Sequence, residues 1–178
     1  MKNSIRFLIL LFLITAGAAP HAYAEHARPA EYEVKAAFIY NFAKFIEWPA
    51  DAGASFNLCV LGEDPFGAAL DLINGKPVRD KNVAVKRIKS HQQLKTCQIV
   101  FISASEKEHL PQILDAVENL SVLTIGDTNG FTQQGVAINF YIEDEKVRFE
   151  INPKAAESAD LKISSKLLKL GRIVKVDN

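Results

Sequence analysis

Between Phe56 and Ile125 short, β-prone apolar runs alternate with stretches of helical period, and that ordering confines the chain to a sheet layered with helices. The runs are Phe56 to Leu61, Gln98 to Ile102 and Val122 to Ile125. The second is apolar after its first residue, as a strand covered on both faces must be. After the first run, Gly62 to Pro65 reads as a strand-to-helix turn, with Asp64 as a cap and Pro65 at the first helical position of a short helix through Ile73. Asn74 and Gly75 turn the chain into an interrupted extended segment, Val78 to Ile88, broken by a charged turn at Asp80 to Asn82. A short helical stretch at His91 to Lys95 precedes the second run. The next helix either runs from Ser105 to Asn119 with Glu108 completing a capping box, or begins near Leu110 with Pro111 in its first turn.

The two ends follow other patterns. Glu31 to Trp48 has a helical period in which Val34, Ala37, Phe38, Phe42, Phe45 and Trp48 are expected to form the buried face. Glu33, Tyr40, Lys44 and Glu47 fall on another side, and Pro49 stops the helix before a loop of small residues, Ala50 to Ser55. Near the other end, Val136 to Ile142 and Lys146 to Ile151 flank a polar turn and form a hairpin. A last helix is expected from Asn152 and Pro153 to Leu170, with Ile163, Leu167 and Leu170 on one side and Lys162, Lys166 and Lys169 exposed. The expected fold is a single layered α/β domain: a mostly parallel or mixed sheet, helices on both faces, and a C-terminal hairpin plus helix.

The first residues have the order of a cleavable export signal. Lys2 and Arg6 form a basic start, Phe7 to Ala16 is apolar, and Ala22 and Ala24 supply small residues before a cleavage point at Glu25. An apolar run of about ten residues is half of the ~20 that a bilayer span needs, which disfavours a membrane anchor. Residues 1–24 are therefore expected to be a removed signal peptide and residues 25–178 one exported domain, periplasmic in a bacterium, with no direct insertion into the membrane. The full chain has 21 basic and 21 acidic residues, and the signal takes two of the basic ones. The near balance left behind gives no long-range attraction to nucleic acid or anionic lipid.

Cys59 and Cys97 are the two cysteines, and an even count in an exported chain points towards a disulfide. Each stands beside a β-prone run, so neighbouring strands can bring them together. Two unpaired buried thiols are the alternative. Two thiols without recognisable partner ligands do not complete a metal site.

Catalytic signatures are missing. Gly62 to Gly67 has the glycine spacing of a phosphate loop, but Ala68 and Ala69 stand where Lys and Ser or Thr would hold phosphate and magnesium. No serine is flanked by glycines as a nucleophile elbow requires, and no histidine pair has helical metal spacing. No catalytic residue, cofactor or metal is assigned, and the chain is not read as an enzyme. One constellation remains: the carboxyl ends of the expected strands carry Glu63 and Asp64, Ser103 and Ser105, and Asp127 with Thr128. Glu63, Asp64, Ser105 and Asp127 form a candidate ligand rim, although helix caps and turns account for the same residue types.

Seven segments in order resemble one family: EYEVKAAFIYNFAKFIEWP from Glu31, CVLGEDPFG from Cys59, CQIVFIS from Cys97, VLTIGD from Val122, INF at Ile138, VRFEIN from Val147 and LKISSKLLKL from Leu161. Together they are similar to the YfiR family of bacterial periplasmic proteins. The resemblance implies an α/β domain that associates as a homodimer, and the pair Cys59 and Cys97 looks like the pair that forms a disulfide in relatives. It also implies repression of an inner-membrane diguanylate cyclase through its periplasmic sensor region, which lowers cyclic di-GMP and restrains biofilm formation. An outer-membrane lipoprotein would relieve the repression by sequestering the repressor. Some relatives carry a second cysteine pair near the hairpin, which this chain lacks, and Gly171 stands where alanine is commoner. The candidate partner-contact residues are Tyr40, Lys44 and Glu47 on the first helix and Lys162, Lys166 and Lys169 on the last. A periplasmic small-ligand receptor using the carboxyl-end rim is the alternative function.

Overall fold

The structure, a computed structural model, describes residues 22–49 and 55–176. The expected signal lies outside the described residues as far as residue 21, and so do residues 50–54 of the small-residue loop.

Helix α1 spans Ala22–Phe45, so it begins before the expected Glu31, and the expected cleavage point at Glu25 falls in its first turn. It ends before Trp48 because Ile46–Glu47 leaves the helix as a short strand, β1. Strand β2 (Phe56–Leu61) is followed by a 3-10 helix at Gly67–Leu72, the edge hairpin β3 (Pro77–Val78) and β4 (Lys81–Ile88), and a second 3-10 helix at His91–Thr96. Next come β5 (Ile99–Ile102), a 3-10 helix at Ala104–His109, α2 (Leu110–Val117) and β6 (Leu123–Gly126). Of the two expectations for α2, the later start is observed, with Pro111 in the first turn where its missing N–H needs no partner. The hairpin β7 (Ile138–Glu143) and β8 (Lys146–Ile151) turns at Asp144 and Glu145, both with positive φ.

The expected last helix is three elements. Helix α3 (Pro153–Ser158) starts as predicted, with the Asn152 side chain accepting a hydrogen bond from the Ala155 N–H. The chain then turns through Asp160 at φ 56°, where a helix of L residues cannot continue, and Leu161 N–H returns to the Ala156 carbonyl. Strand β9 (Lys162–Ile163) pairs antiparallel with β1, Ser164 caps helix α4 (Ser165–Leu168), and β10 (Arg172–Ile173) joins the main sheet.

That sheet has eight strands in the order β10-β8-β7-β6-β5-β2-β4-β3. The run from β4 to β7 is parallel, and the β3–β4 and β7–β8 hairpins are antiparallel. The period of two in side-chain direction divides the core between the faces. Leu58, Val60, Ile99, Phe101, Leu123 and Ile125 point towards α1, whereas Leu61, Val100 and Ile102 point towards α2. On the α1 side, Phe42 stacks against Phe140 at 5.8 Å and meets Phe149 edge-on at 5.0 Å; full burial of one such ring is worth about 2–3 kcal/mol.

The buried face of α1 matches the expected one in part: Phe42 is in the core and Phe38 and Trp48 pack against it, but Val34, Ala37 and Phe45 do not. Ala36, Ile39, Phe42, Ala43 and Ile46 face the sheet, Val34, Ala37 and Phe45 face outward, and Phe38 and Trp48 are partly buried. Both stripes are apolar at helical spacing, so periodicity alone could not choose between them. At the C terminus, buried Glu150 accepts hydrogen bonds from Thr132 and from Arg172, and the latter bond pushes the Arg172 guanidinium pKa above its ordinary value. Arg172 also lies 4.3 Å over the Tyr141 ring, which fixes β10 at the sheet edge.

Gly126 illustrates how tightly the α2 face is filled. A Cβ there would lie 2.5 Å from the ring of Phe131, which is fully buried and has nowhere to move. Gly126→Ala is therefore expected to cost about 1–3 kcal/mol by overpacking, read in urea denaturation as a lower midpoint with an unchanged slope.

Candidate functional site

The two sulfurs are joined. Cys59 lies within β2 and Cys97 two residues before β5, strands that pair in parallel, and the Cα atoms are 5.9 Å apart. Both residues are buried on the α2 face, so the bridge holds the core and offers no reactive sulfur at the surface.

At the carboxyl ends of the strands, the predicted rim residues each have a structural partner or lie exposed. Asp64 Oδ1 accepts from the Phe66 N–H at 2.8 Å and Oδ2 from Arg87 Nε at 2.7 Å. Ser105 Oγ accepts from the Glu63 N–H at 3.0 Å, and the Glu63 side chain is exposed. Gly62 permits this turn, since its φ of 91° excludes most side chains. Asp127 sits apart from these on the α1 side, where Oδ2 accepts from Lys35 Nζ at 2.7 Å and from Tyr32 Oη at 2.9 Å. Lys35 is buried, also reaches Glu31 Oε1 at 2.5 Å, and lies 4.2 Å from the centre of the Tyr32 ring. Ser103 and Asp127 follow the paired residues Ile102 and Gly126, so they occupy neighbouring positions on the same face. Ser103 Oγ and Thr128 Oγ1 are buried without a hydrogen-bond partner among the described residues. Among those residues no group of three or more His, Cys, Asp or Glu side chains is placed to hold a metal ion.

Glu47 and the three lysines of the predicted contact set lie about the β1–β9 pair, whereas Tyr40 and Lys44 face the β3–β4 hairpin. Glu47 on β1 stands opposite Lys162 on β9, which brings the end of α1 beside the segment carrying Lys166 and Lys169. All four are exposed, but the three lysines occupy β9, α4 and the turn after it and do not form one helical face. Tyr40 is partly buried; its hydroxyl donates to the Pro77 carbonyl at 2.9 Å, and Lys44 Nζ lies 4.1 Å from its ring centre. Two features were missed from sequence. The outward stripe of α1 leaves Val34 45% and Phe45 39% exposed, on a helix whose opposite side is in the core. Lys76 and Arg79 of the edge hairpin join Tyr40 and Lys44 at one corner, with Lys76 Nζ 5.5 Å from the Tyr40 ring centre and Arg79 Nη2 donating to the Ile46 carbonyl at 2.9 Å. The doubled apolar period of α1 was the available signal for the first. The second depends on residues more than thirty positions apart and had none.

Among the described residues no helix is long and apolar enough to cross a membrane. A family model described as YfiR/HmsC-like matches residues 32–172. No curated protein matches the chain. Two solved structures have a similar fold: the ABC domain in complex with L-Trp from Streptococcus pneumonia, with a TM-score of 0.54, and a conserved domain protein from Vibrio cholerae O1 biovar El Tor, with a TM-score of 0.55. Each is 9% identical, and 81% of this chain is matched to 60% of the other. The chain thus spans about three-fifths of either neighbour, and the likeness is one of fold alone.

Proposed function

The chain belongs to the YfiR/HmsC-like family, and from that premise we propose that it is a periplasmic regulator that represses an inner-membrane diguanylate cyclase by binding its periplasmic sensor region. It acts by contact and not by catalysis, and its output is lower cyclic di-GMP and less biofilm. Residues 1–24 direct export, and residues 25–178 act as a homodimer that an outer-membrane lipoprotein can sequester. The observation that carries this reading is a pair of exposed apolar side chains on the outer side of α1, Val34 and Phe45, about three turns apart. A helix apolar on both sides ordinarily has both covered, so the outer stripe suits a protein partner. Repression then requires tighter binding to the inactive cyclase than to the active one, since equal affinity shifts no equilibrium.

The test is recovery of a cyclase from detergent-solubilised membranes on immobilised mature protein. The doubly substituted Val34→Glu, Phe45→Glu chain is expected to lose that recovery while staying folded, its unfolding free energy falling by about 1–2 kcal/mol because more than half of each side chain is covered. Absence of any cyclase or sensor protein from the wild-type eluate would overturn the reading.

A second reading rests on Ser103 Oγ and Thr128 Oγ1, two buried hydroxyls without protein partners close to Asp127. Such groups cost stability unless something bonds to them, which supports a small-ligand receptor at the carboxyl ends of β5 and β6. A thermal-shift screen against small polar metabolites and cell-wall fragments tests it: a ligand of the native state must raise the melting temperature, and no shift with any of them contradicts the reading.

A further inference from the structure

We infer that the corner where the end of α1 meets the β3–β4 hairpin is a docking site for an acidic segment of a partner protein. The inference rests on the regulatory reading for the partner's role and adds the chemistry the partner must present. Three cations from separate elements converge there: Lys44 from α1, Lys76 before β3, and Arg79 from the turn between β3 and β4. Their placement is fixed by the fold. The Tyr40 ring is anchored through the Pro77 carbonyl, Arg79 through the Ile46 carbonyl, and the backbone of Lys76 through Ile73 and Val83.

The two ammonium groups share one aromatic ring, at 4.1 and 5.5 Å from its centre, so they lie within about 10 Å of each other, near one screening length at moderate salt. Among the described residues no carboxylate is within ion-pair distance of Lys44, Lys76 or Arg79. Glu47 and Asp80 flank the corner without pairing with any of the three. Like charges held this close repel one another, and an incoming carboxylate relieves the repulsion while sharing two cations and a ring edge. An acidic peptide fits better than a lipid surface because the mature chain has near-balanced charge, whereas attraction to an anionic bilayer draws on a broad basic face.

The experiment measures fluorescence anisotropy of a labelled octaglutamate peptide with the mature protein at low ionic strength. Lys44→Gln with Lys76→Gln is compared with Lys95→Gln and Lys107→Gln, which remove the same charge from exposed positions on the α2 side. We expect binding to weaken about tenfold in the first pair and less than about twofold in the second, with the first pair also losing most of its salt dependence. Equal losses in both pairs, or none in the first, would overturn the inference. Vesicles of phosphatidylglycerol supply the other arm: if the first pair lowers vesicle binding and leaves peptide binding unchanged, the corner serves lipid headgroups and the inference fails. No cyclase enters this assay, so its failure is distinguishable from failure of the regulatory reading, which membrane recovery tests separately.

Discussion

The Cys59→Ala, Cys97→Ala chain is expected to be less stable than the oxidised parent by about 4 kcal/mol, because the bridge closes a loop across a sequence separation of 38 in the chain-entropy treatment. Alanine is the informative replacement, since serine would add two hydroxyls to an apolar layer that contains Val100, Leu61 and Leu94. Domains of this size hold only about 5–15 kcal/mol in total, so such a loss removes a large part of the margin. Urea denaturation of the oxidised, reduced and substituted proteins measures it. Reduction and substitution should lower the midpoint by similar amounts, and an unmoved midpoint in either would show that the bridge adds nothing to the fold.

Removing one partner of the buried pair should also destabilise the fold, by a smaller amount. Lys35 and Asp127 lie between α1 and the end of β6, with side chains 4% and 9% exposed. Asp127→Ala leaves the ammonium with Glu31, which is nearer to solvent, and with the Tyr32 ring. Because Glu31 still compensates the charge, the cost should fall below the ~3–5 kcal/mol of a wholly unpaired buried charge, at about 1–3 kcal/mol. The double replacement Lys35→Met, Asp127→Leu strands nothing and should be clearly less costly than Asp127→Ala alone, because an apolar pair of similar volume often matches a buried ion pair. A double-mutant cycle in the same denaturation assay reads the difference as a coupling energy. Additive costs would mean that the two side chains do not act as a pair.

Much of the sheet was legible because its strands are bounded by residues that speak locally. The run Phe56 to Leu61 is a strand at the predicted limits, and the hairpin strand Lys146–Ile151 begins and ends as expected, since Asp144 and Glu145 mark the turn. Prediction failed where two local signals agreed in kind. In α1 the expected face, 34, 37, 38, 42, 45 and 48, shares Phe42 with the observed face 36, 39, 42, 43 and 46, and only the packing of Ile39 and Ile46 on the sheet turns 34, 37 and 45 outward. The lysine and leucine period continues across Asp160 and reads as one long last helix, although Ser158, Asp160, Ser164 and Ser165 are residues that favour turns and caps. Of the candidate surfaces, Tyr40 and Lys44 could be found because they stand off the apolar period. Lys76, brought in by the edge hairpin, and the pairing of Lys35 with Asp127 across 92 positions are properties of the tertiary fold alone.

Repression, as proposed, is exerted through the outer face of α1. Its most direct test is the cellular level of cyclic di-GMP in a strain lacking the native gene and complemented with either the parent chain or the Val34→Glu, Phe45→Glu chain at equal periplasmic abundance. The parent should restore a low level and the substituted chain should leave it high. A low level with both chains would contradict the account, because the repressing contact would then lie elsewhere on the molecule.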